Sequence, residues 1–220
     1  MVKIIMHGCN GHMGQVISGI VEKDPDAEIV AGIDIADQGK NSYPVFTDID
    51  TCQVEADAII DFSSAKATDK LLEYSAARQI PVVLCSTGLS EEQLAKVEET
   101  SKKVAVLKSA NMSLGINTLL KLVQDAAKVL ATAGFDMEIV ETHHNRKVDA
   151  PSGTAKLILR QIDPEGLYAP VYGRSGRIGA RGREIFAQGA LRAAAFAREA
   201  EPGLYDMEDV LFGGDGWTRS

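Results

Sequence analysis

The chain has 220 residues, of which 45% are hydrophobic and 25% charged, as in a globular protein of one large or two small domains. The formal net charge of −8 argues against general nucleic-acid binding and against a polybasic membrane site. The three cysteines form no C-x-x-C pair, so we expect neither a bound metal nor a disulfide framework. Because the sequence lacks a secretory signal and a run of membrane-spanning length, we expect a cytoplasmic protein.

Strand and helix patterns alternate through the first hundred residues. Short apolar runs predict strands, and apolar residues at helical spacing predict helices. This alternation favours an α/β fold, a Rossmann-type doubly wound parallel sheet covered by helices on both faces. The predicted strands are 2–7, 28–33, 58–62, 81–85 and 104–107, and the predicted helices are 13–23, 66–78 and 91–102.

The pattern changes from Ser113 onward, where that residue caps a long predicted helix that ends near residue 133. An alternating segment at 137–142 predicts a strand that ends at a histidine pair. Further helices are predicted at 154–162 and 186–199, with a long loop at 163–182 between them and an unpatterned tail at 212–220.

A glycine-rich turn follows the first strand and opens the first helix. Such a turn lets the backbone approach a pyrophosphate, which meets free N–H groups at the helix N-terminus. Asp34 ends the second strand, where a carboxylate accepts hydrogen bonds from ribose hydroxyls and favours NAD over NADP, although Lys40 can soften this preference. The alternative is a tight loop without a ligand. The predicted cofactor residues here are Gly8, Cys9, Asn10, Gly11, His12, Met13 and Asp34.

Two more loops follow strand ends, where a doubly wound sheet binds its ligands. Their small residues allow a nicotinamide ring to lie against the backbone, and Asn111 can hold the amide of that ring. A simple turn with a helix cap is an equally good interpretation of each loop. The predicted cofactor residues in these loops are Cys85, Ser86 and Thr87, and Ser109, Ala110, Asn111 and Met112.

Residues 141–155 combine possible proton donors with an anion site. His143 and His144 end a predicted strand, so their side chains point to opposite faces and a shared metal is not expected. Lys147 lies in the loop beyond them, and Ser152 is a plausible N-cap for the following helix. Gly153 and Thr154 then offer N–H groups to a carboxylate. The alternative is a cationic loop that caps an ordinary helix.

These residues resemble the 4-hydroxy-tetrahydrodipicolinate reductase (dihydrodipicolinate reductase) family. The family pattern E-x-H-H-x-x-K-x-D-x-P-S-G-T-A matches residues 141–155 throughout, and similar matches cover the glycine turn, residues 109–115, 186–194 and 203–207. The resemblance implies hydride transfer from NADH or NADPH to a cyclic dicarboxylate, in lysine biosynthesis through diaminopimelate. It implies that His143 and Lys147 donate the proton and that His144, Gly153 and Thr154 bind the substrate carboxylate.

The resemblance also implies a domain division and a homotetramer, with one departure. Residues 1–112 and 186–211 correspond to the dinucleotide-binding domain, and 113–185 correspond to a small α+β substrate domain. The family's β-rich stretch, which builds the tetramer interface, is missing after Ile185. Two alternatives to a reductase therefore stay open: a non-catalytic nucleotide-binding relative, and a hydride-transfer enzyme that acts on another small dicarboxylate.

Overall fold

The computed structural model describes residues 1–109, 111–131, 133, 137–142, 151–163 and 184–212. For residues 184–189, 208 and 212 it describes the backbone alone. The described residues fall into two compact units. The first contains the residues up to Leu114 and those from Glu184 onward, and the second contains the residues from Gly115 to Asp163.

The first unit is built on a seven-stranded sheet in which every pair of neighbouring strands is parallel. The strand order is β3-β2-β1-β4-β5-β6-β7, so the chain reverses its direction of travel across the sheet between β1 and β4. This reversal is the topological switch point at which open parallel sheets bind ligands. The strands are β1 (Val2–His7), β2 (Ala27–Ile33), β3 (Val45–Phe46), β4 (Ala58–Asp61), β5 (Val82–Leu84), β6 (Ala105–Lys108) and β7 (Gly203–Tyr205).

Helices cover the sheet and the second unit is helical wherever a regular element is described. The helices are α1 (His12–Val21), α2 (Ala65–Arg78), α3 (Glu91–Ser101), α4 (Leu114–Leu130), α5 (Gly153–Ile162), α6 (Glu184–Glu199) and α7 (Met207–Phe212), with a 3₁₀ turn at Ile49–Thr51. Of the helices in the described part of the chain, none has the length and apolar character needed to cross a membrane.

Two apolar cores lie on opposite faces of the sheet because successive side chains of a strand point to opposite sides. In β1, Ile4 and Met6 belong to the core that includes α1 and α6, whereas Ile5 belongs to the core that includes α2. Four buried alanines let α6 lie close to the strands, namely Ala190, Ala193, Ala194 and Ala197. The sheet is therefore covered on both faces, as its continuous apolar strands require.

The predicted α/β fold is confirmed, and each element predicted in the first hundred residues is present with its ends shifted by at most two residues. The short strands β3 and β7 and the helix α7 were not predicted. Helix α7 runs to Phe212, so the predicted tail begins one residue too early, and residues 213–220 lie outside the described residues. The loop predicted at 163–182 also lies outside them beyond Asp163.

The strand predicted at 137–142 is wrong. These residues have no regular secondary structure, and Val140 is 88% exposed. An alternating pattern specifies a strand only where a neighbouring strand supplies hydrogen bonds, and within the described part of the chain no strand pairs with this segment. The predicted helix from Ser113 to residue 133 is correct in type but ends at Leu130.

Candidate active site

The turn after β1 is a close backbone junction that excludes side chains. Gly8 has a φ of +82°, and a Cβ atom there would lie 2.7 Å from the Phe62 carbonyl oxygen. A Cβ atom on Gly14 would lie 2.3 Å from the Gly8 carbonyl oxygen. Glycine is therefore required at both positions, at the first because of conformation and space and at the second because α1 packs directly against the turn.

The N-terminus of α1 has donors for an anion. Gly11 precedes the helix in an extended conformation, and no side chain caps the first turn. The first N–H groups of a helix lack partners within it, and their dipole favours negative charge. Gly11 and His12 are exposed and Met13 is half-buried, so a phosphate can approach this end of the helix. The geometry fits the pyrophosphate of a dinucleotide.

Asp34 lies beside this turn. Its Oδ2 accepts a hydrogen bond from the Asn10 backbone N–H at 2.8 Å, and its Oδ1 accepts one from the Ile35 N–H at 2.8 Å. The carboxylate is half-buried, whereas the apolar side chain of Ile35 is 93% exposed. The structure thus brings the predicted ribose-binding carboxylate together with the predicted phosphate turn. Lys40 does not bond to Asp34, since its Nζ donates to Gln38 Oε1 at 2.6 Å.

A network of amide side chains, which the sequence did not predict, ties the loop after β2 to the glycine turn. Asn41 donates to Asn10 Oδ1 at 2.9 Å and accepts from Gln15 Nε2 at 2.8 Å. Gln15 also donates to the Cys9 carbonyl at 2.9 Å. Asn10 belongs to the predicted glycine turn, but Gln15 and Asn41 are part of no motif, so no spacing rule could identify them.

Cys9 contributes only its backbone to this surface. Its side chain is fully buried against Gly32, and burial, reinforced by the charge of Asp34, raises the pKa of the thiol to about 11. A neutral buried thiol is a packing group. The sequence-predicted cofactor contact at Cys9 is therefore restricted to its peptide group.

The three predicted residues of the loop after β5 differ in exposure. Thr87 is exposed, whereas Ser86 is buried and donates to Asp61 Oδ2 at 2.6 Å. Asp61 ends β4 and was not predicted as a site residue. Cys85 is half-buried, between the strand and the loop.

The loop after β6 forms a compact turn of its own. Asn111 N–H donates to Ser109 Oγ at 3.3 Å, and Asn111 Oδ1 accepts from the Ser113 N–H at 2.9 Å. Met112 is buried, and Ala110 lies outside the described residues. The oxygen of Asn111 thus acts as the local cap that the alternative interpretation of this loop described.

In the second unit, the side chain of Glu141 bonds to the backbone of the residue that precedes α5. Glu141 Oε1 accepts a hydrogen bond from the Ser152 N–H at 2.8 Å. Ser152 is buried and caps α5, since its Oγ accepts from the Ala155 N–H at 3.0 Å. Gly153 and Thr154 form the first turn of α5. His143, His144 and Lys147, which in sequence fall between Glu141 and Ser152, lie outside the described residues.

The structure contains no group of acidic, histidine or cysteine side chains suited to a metal ion among the residues it describes.

Comparison with known proteins matches both parts of the chain to one family. Residues 2–112 match the family described as dihydrodipicolinate reductase, N-terminus, and residues 115–178 match dihydrodipicolinate reductase, C-terminus. The chain is 43% identical to the 4-hydroxy-tetrahydrodipicolinate reductase of Caldanaerobacter subterraneus subsp. tengcongensis, an alignment that covers 96% of this chain and 98% of that protein. It is 40% identical to the enzyme of the same name from Clostridium tetani, with 96% and 97% covered.

A solved structure has a similar fold. The dipicolinate-bound dihydrodipicolinate reductase from Paenisporosarcina sp. TG-14 superimposes with a TM-score of 0.74 over 94% of this chain and 97% of that one. At 21% identity, this likeness concerns the fold.

The curated relatives are longer than this chain. The alignment with the Caldanaerobacter protein runs over 254 positions, which is 34 more than the 220 residues of the chain. At least that many positions of the relative therefore have no counterpart here.

Gly14→Ala should weaken NADH binding, because the new Cβ must displace the Gly8 carbonyl from the phosphate turn. We expect the dissociation constant, measured by calorimetric titration, to rise about tenfold or more. Gly19→Ala is the matched control, since nothing lies within 4 Å of its Cβ position on the same helix. That variant should bind NADH normally and gain about 0.5–1 kcal/mol in unfolding free energy. Equal NADH affinity in the two variants would contradict the assignment of the turn.

Asp34 and Ile35 together predict that NADH binds at least as tightly as NADPH. A carboxylate repels a 2′-phosphate, and no arginine follows it to accommodate one. Dissociation constants for the two cofactors measure this preference. Ile35→Arg should shift the ratio toward NADPH, because a guanidinium binds phosphate in a bidentate manner. A strong NADPH preference in the unaltered protein would contradict the prediction.

Proposed function

The chain belongs to the dihydrodipicolinate reductase family, and we propose that it reduces 4-hydroxy-tetrahydrodipicolinate to tetrahydrodipicolinate in the cytoplasm, as a step of lysine biosynthesis through diaminopimelate. The observation that carries this proposal is the uncapped glycine turn beside Asp34, in a chain 43% identical to a reductase of that name over 96% of its length. The turn supports a nucleotide site, and the identity supports the presence of the family's substrate domain in the same chain.

NADH or NADPH supplies the hydride when it is bound. One proton is taken up as well, and the 4-hydroxyl group of the substrate leaves as water, which balances the reaction. The backbone of residues 8–13 holds the pyrophosphate at the N-terminus of α1, and Asp34 accepts hydrogen bonds from the adenosine ribose. The loops at 85–87 and 109–112 follow β5 and β6, which lie on the other side of β1 from β2. These loops therefore provide the surface for the nicotinamide half of the cofactor.

The second unit binds the substrate and supplies the proton. Gly153 and Thr154 lie at the positive end of the α5 dipole, which favours a substrate carboxylate. His144 adds a further donor to this carboxylate. His143 and Lys147 deliver the proton that the reduced ring needs, and the Lys147 charge stabilises the negative charge that develops there. Glu141 supports the start of α5 by accepting a hydrogen bond from the Ser152 N–H.

Lys147→Ala tests the assignment of the acid. Turnover should fall by about two orders of magnitude or more, because the variant loses both the proton and the positive charge. The assay follows NADH consumption with substrate generated in situ from pyruvate and aspartate semialdehyde by the synthase that precedes this step. Calorimetric NADH affinity should change less than about twofold.

Lys156→Ala is the control for this variant. Lys156 is an exposed lysine of α5, so its loss should leave turnover unchanged. Unaltered turnover in Lys147→Ala would remove Lys147 from the mechanism. No NADH consumption by the unaltered protein, with NADH binding retained, would contradict the reductase proposal itself.

The positions of the relatives that have no counterpart in this chain affect the expected oligomeric state. We infer that they belong to the interface strands expected after Ile185, so that this chain does not form the tetramer implied by the family resemblance. Large apolar side chains of the second unit are exposed, including Leu122 at 62% and Val129 at 68%. Light scattering coupled to gel filtration should give a mass below that of a tetramer. A stable tetramer would show that the interface is formed by other residues.

A further inference from the structure

A buried carboxylate lies beneath the candidate cofactor site. Asp61, at the end of β4, is completely buried. Its Oδ1 accepts hydrogen bonds from the Ser63 N–H at 3.1 Å and the Ser63 hydroxyl at 2.6 Å, and it lies 2.8 Å from His7 Nδ1. Its Oδ2 accepts from the Ser86 hydroxyl at 2.6 Å. A single carboxylate thus contacts three side chains from three parts of the chain.

This carboxylate stays charged in the core. Burial alone disfavours the charge, but the His7 ring and the Ser63 and Ser86 hydroxyls outweigh it and hold the pKa of Asp61 below its ordinary value. A buried charge is costly and is retained only with a full set of partners. An apolar residue at this position would pack in the core without that cost, so packing does not explain Asp61.

The contacts of Asp61 join three segments at the carboxyl edge of the sheet. Asp61 is paired in register with His7 of β1 and with Leu84 of β5. His7 precedes the phosphate turn at Gly8, Ser63 lies in the loop after β4, and Ser86 lies in the loop after β5. Because these strands are adjacent, the carboxylate fixes the three connections relative to one another.

The position of this network decides which half of the cofactor it serves. Asp34 places the adenosine ribose beyond β2, and the uncapped turn of α1 places the pyrophosphate over β1. In the strand order β2-β1-β4-β5, the remaining half of a dinucleotide must extend over β4 and β5. Ser63 and Ser86 belong to the loops at the ends of those two strands.

We propose that Asp61 is a positioning residue for the nicotinamide half of the cofactor, acting through Ser63, Ser86 and His7. This inference rests on the proposed function, because it requires NADH as the ligand. Asp61 itself does not contact the cofactor. It holds the loops after β4 and β5 in the arrangement that receives the nicotinamide ring.

Asp61→Asn tests the proposal, since it keeps the size of the side chain and removes the charge that fixes the loops. Calorimetric titration with NADH and with ADP-ribose, which lacks the nicotinamide ring, separates the two halves of the site. We expect NADH affinity to fall about tenfold or more, in keeping with hydrogen bonds to a charged group. ADP-ribose affinity should change less than about twofold. General loss of structure would weaken both ligands alike.

Tyr74→Phe is the matched control for a lost buried hydrogen bond. Tyr74 belongs to α2, and its hydroxyl donates to the Cys52 carbonyl at 2.7 Å in the core on that side of the sheet. This hydroxyl does not bond to Asp61. Its loss should lower the thermal midpoint while both dissociation constants stay the same. The contrast separates a positioning effect from a stability effect.

Ser63→Ala and Ser86→Ala keep the proposal testable if Asp61→Asn does not fold. Each removes one hydroxyl from the carboxylate and leaves the core intact. Each should weaken NADH binding about threefold or more with ADP-ribose binding unchanged. Unchanged NADH affinity in both variants, or equal losses for the two ligands, would overturn the role of Asp61. Absence of NADH binding by the unaltered protein would overturn the proposed function as well.

Discussion

The close contact between the turn after β1 and the loop after β4 is the constraint on which the candidate site depends. A side chain at Gly8 would collide with the Phe62 carbonyl, and one at Gly14 would collide with the turn itself. The backbone can therefore approach a phosphate only because both positions are glycine. The strand order reverses at this junction, so the same contact that joins the central strands also opens the crevice for a dinucleotide. Asp34 on one side and Asp61 on the other then define the two halves of that crevice.

The two acidic residues act in different ways because their surroundings differ. Asp34 is half-buried at the rim of the turn, where its oxygens accept backbone hydrogen bonds and can still meet ribose hydroxyls. Asp61 is fully buried, and its oxygens are taken up by protein donors. In the other unit, Glu141 is exposed, and its carboxylate accepts a hydrogen bond from the Ser152 N–H that precedes α5. Asp34 and Asp61 thus hold the loops of the first unit in place by accepting hydrogen bonds from them.

Sequence patterns predicted most of the fold because buried parallel strands are continuous apolar runs and the covering helices have a clear period. The strands β3 and β7 were not predicted because β3 has only two residues and β7 begins with glycine, a residue depleted in strands. Both exist through pairing, with β2 and β6 respectively. The opposite error occurred at 137–142, where no strand among the described residues pairs with the alternating segment. In the site, the glycine turn and Asp34 followed from spacing. Asp61 and the amides at Gln15 and Asn41 did not, because their roles arise from contacts across the sheet edge.

The proposed function depends on the transfer of a hydride from a nicotinamide to the substrate, and isotope transfer measures that step directly. NADH carrying deuterium at both C4 positions would be supplied with the substrate generated in situ, and the product would be analysed by mass spectrometry. We expect tetrahydrodipicolinate to gain one deuterium and Lys147→Ala to slow the appearance of the labelled product. Unlabelled product, or NADH oxidation without deuterium in the product, would contradict it.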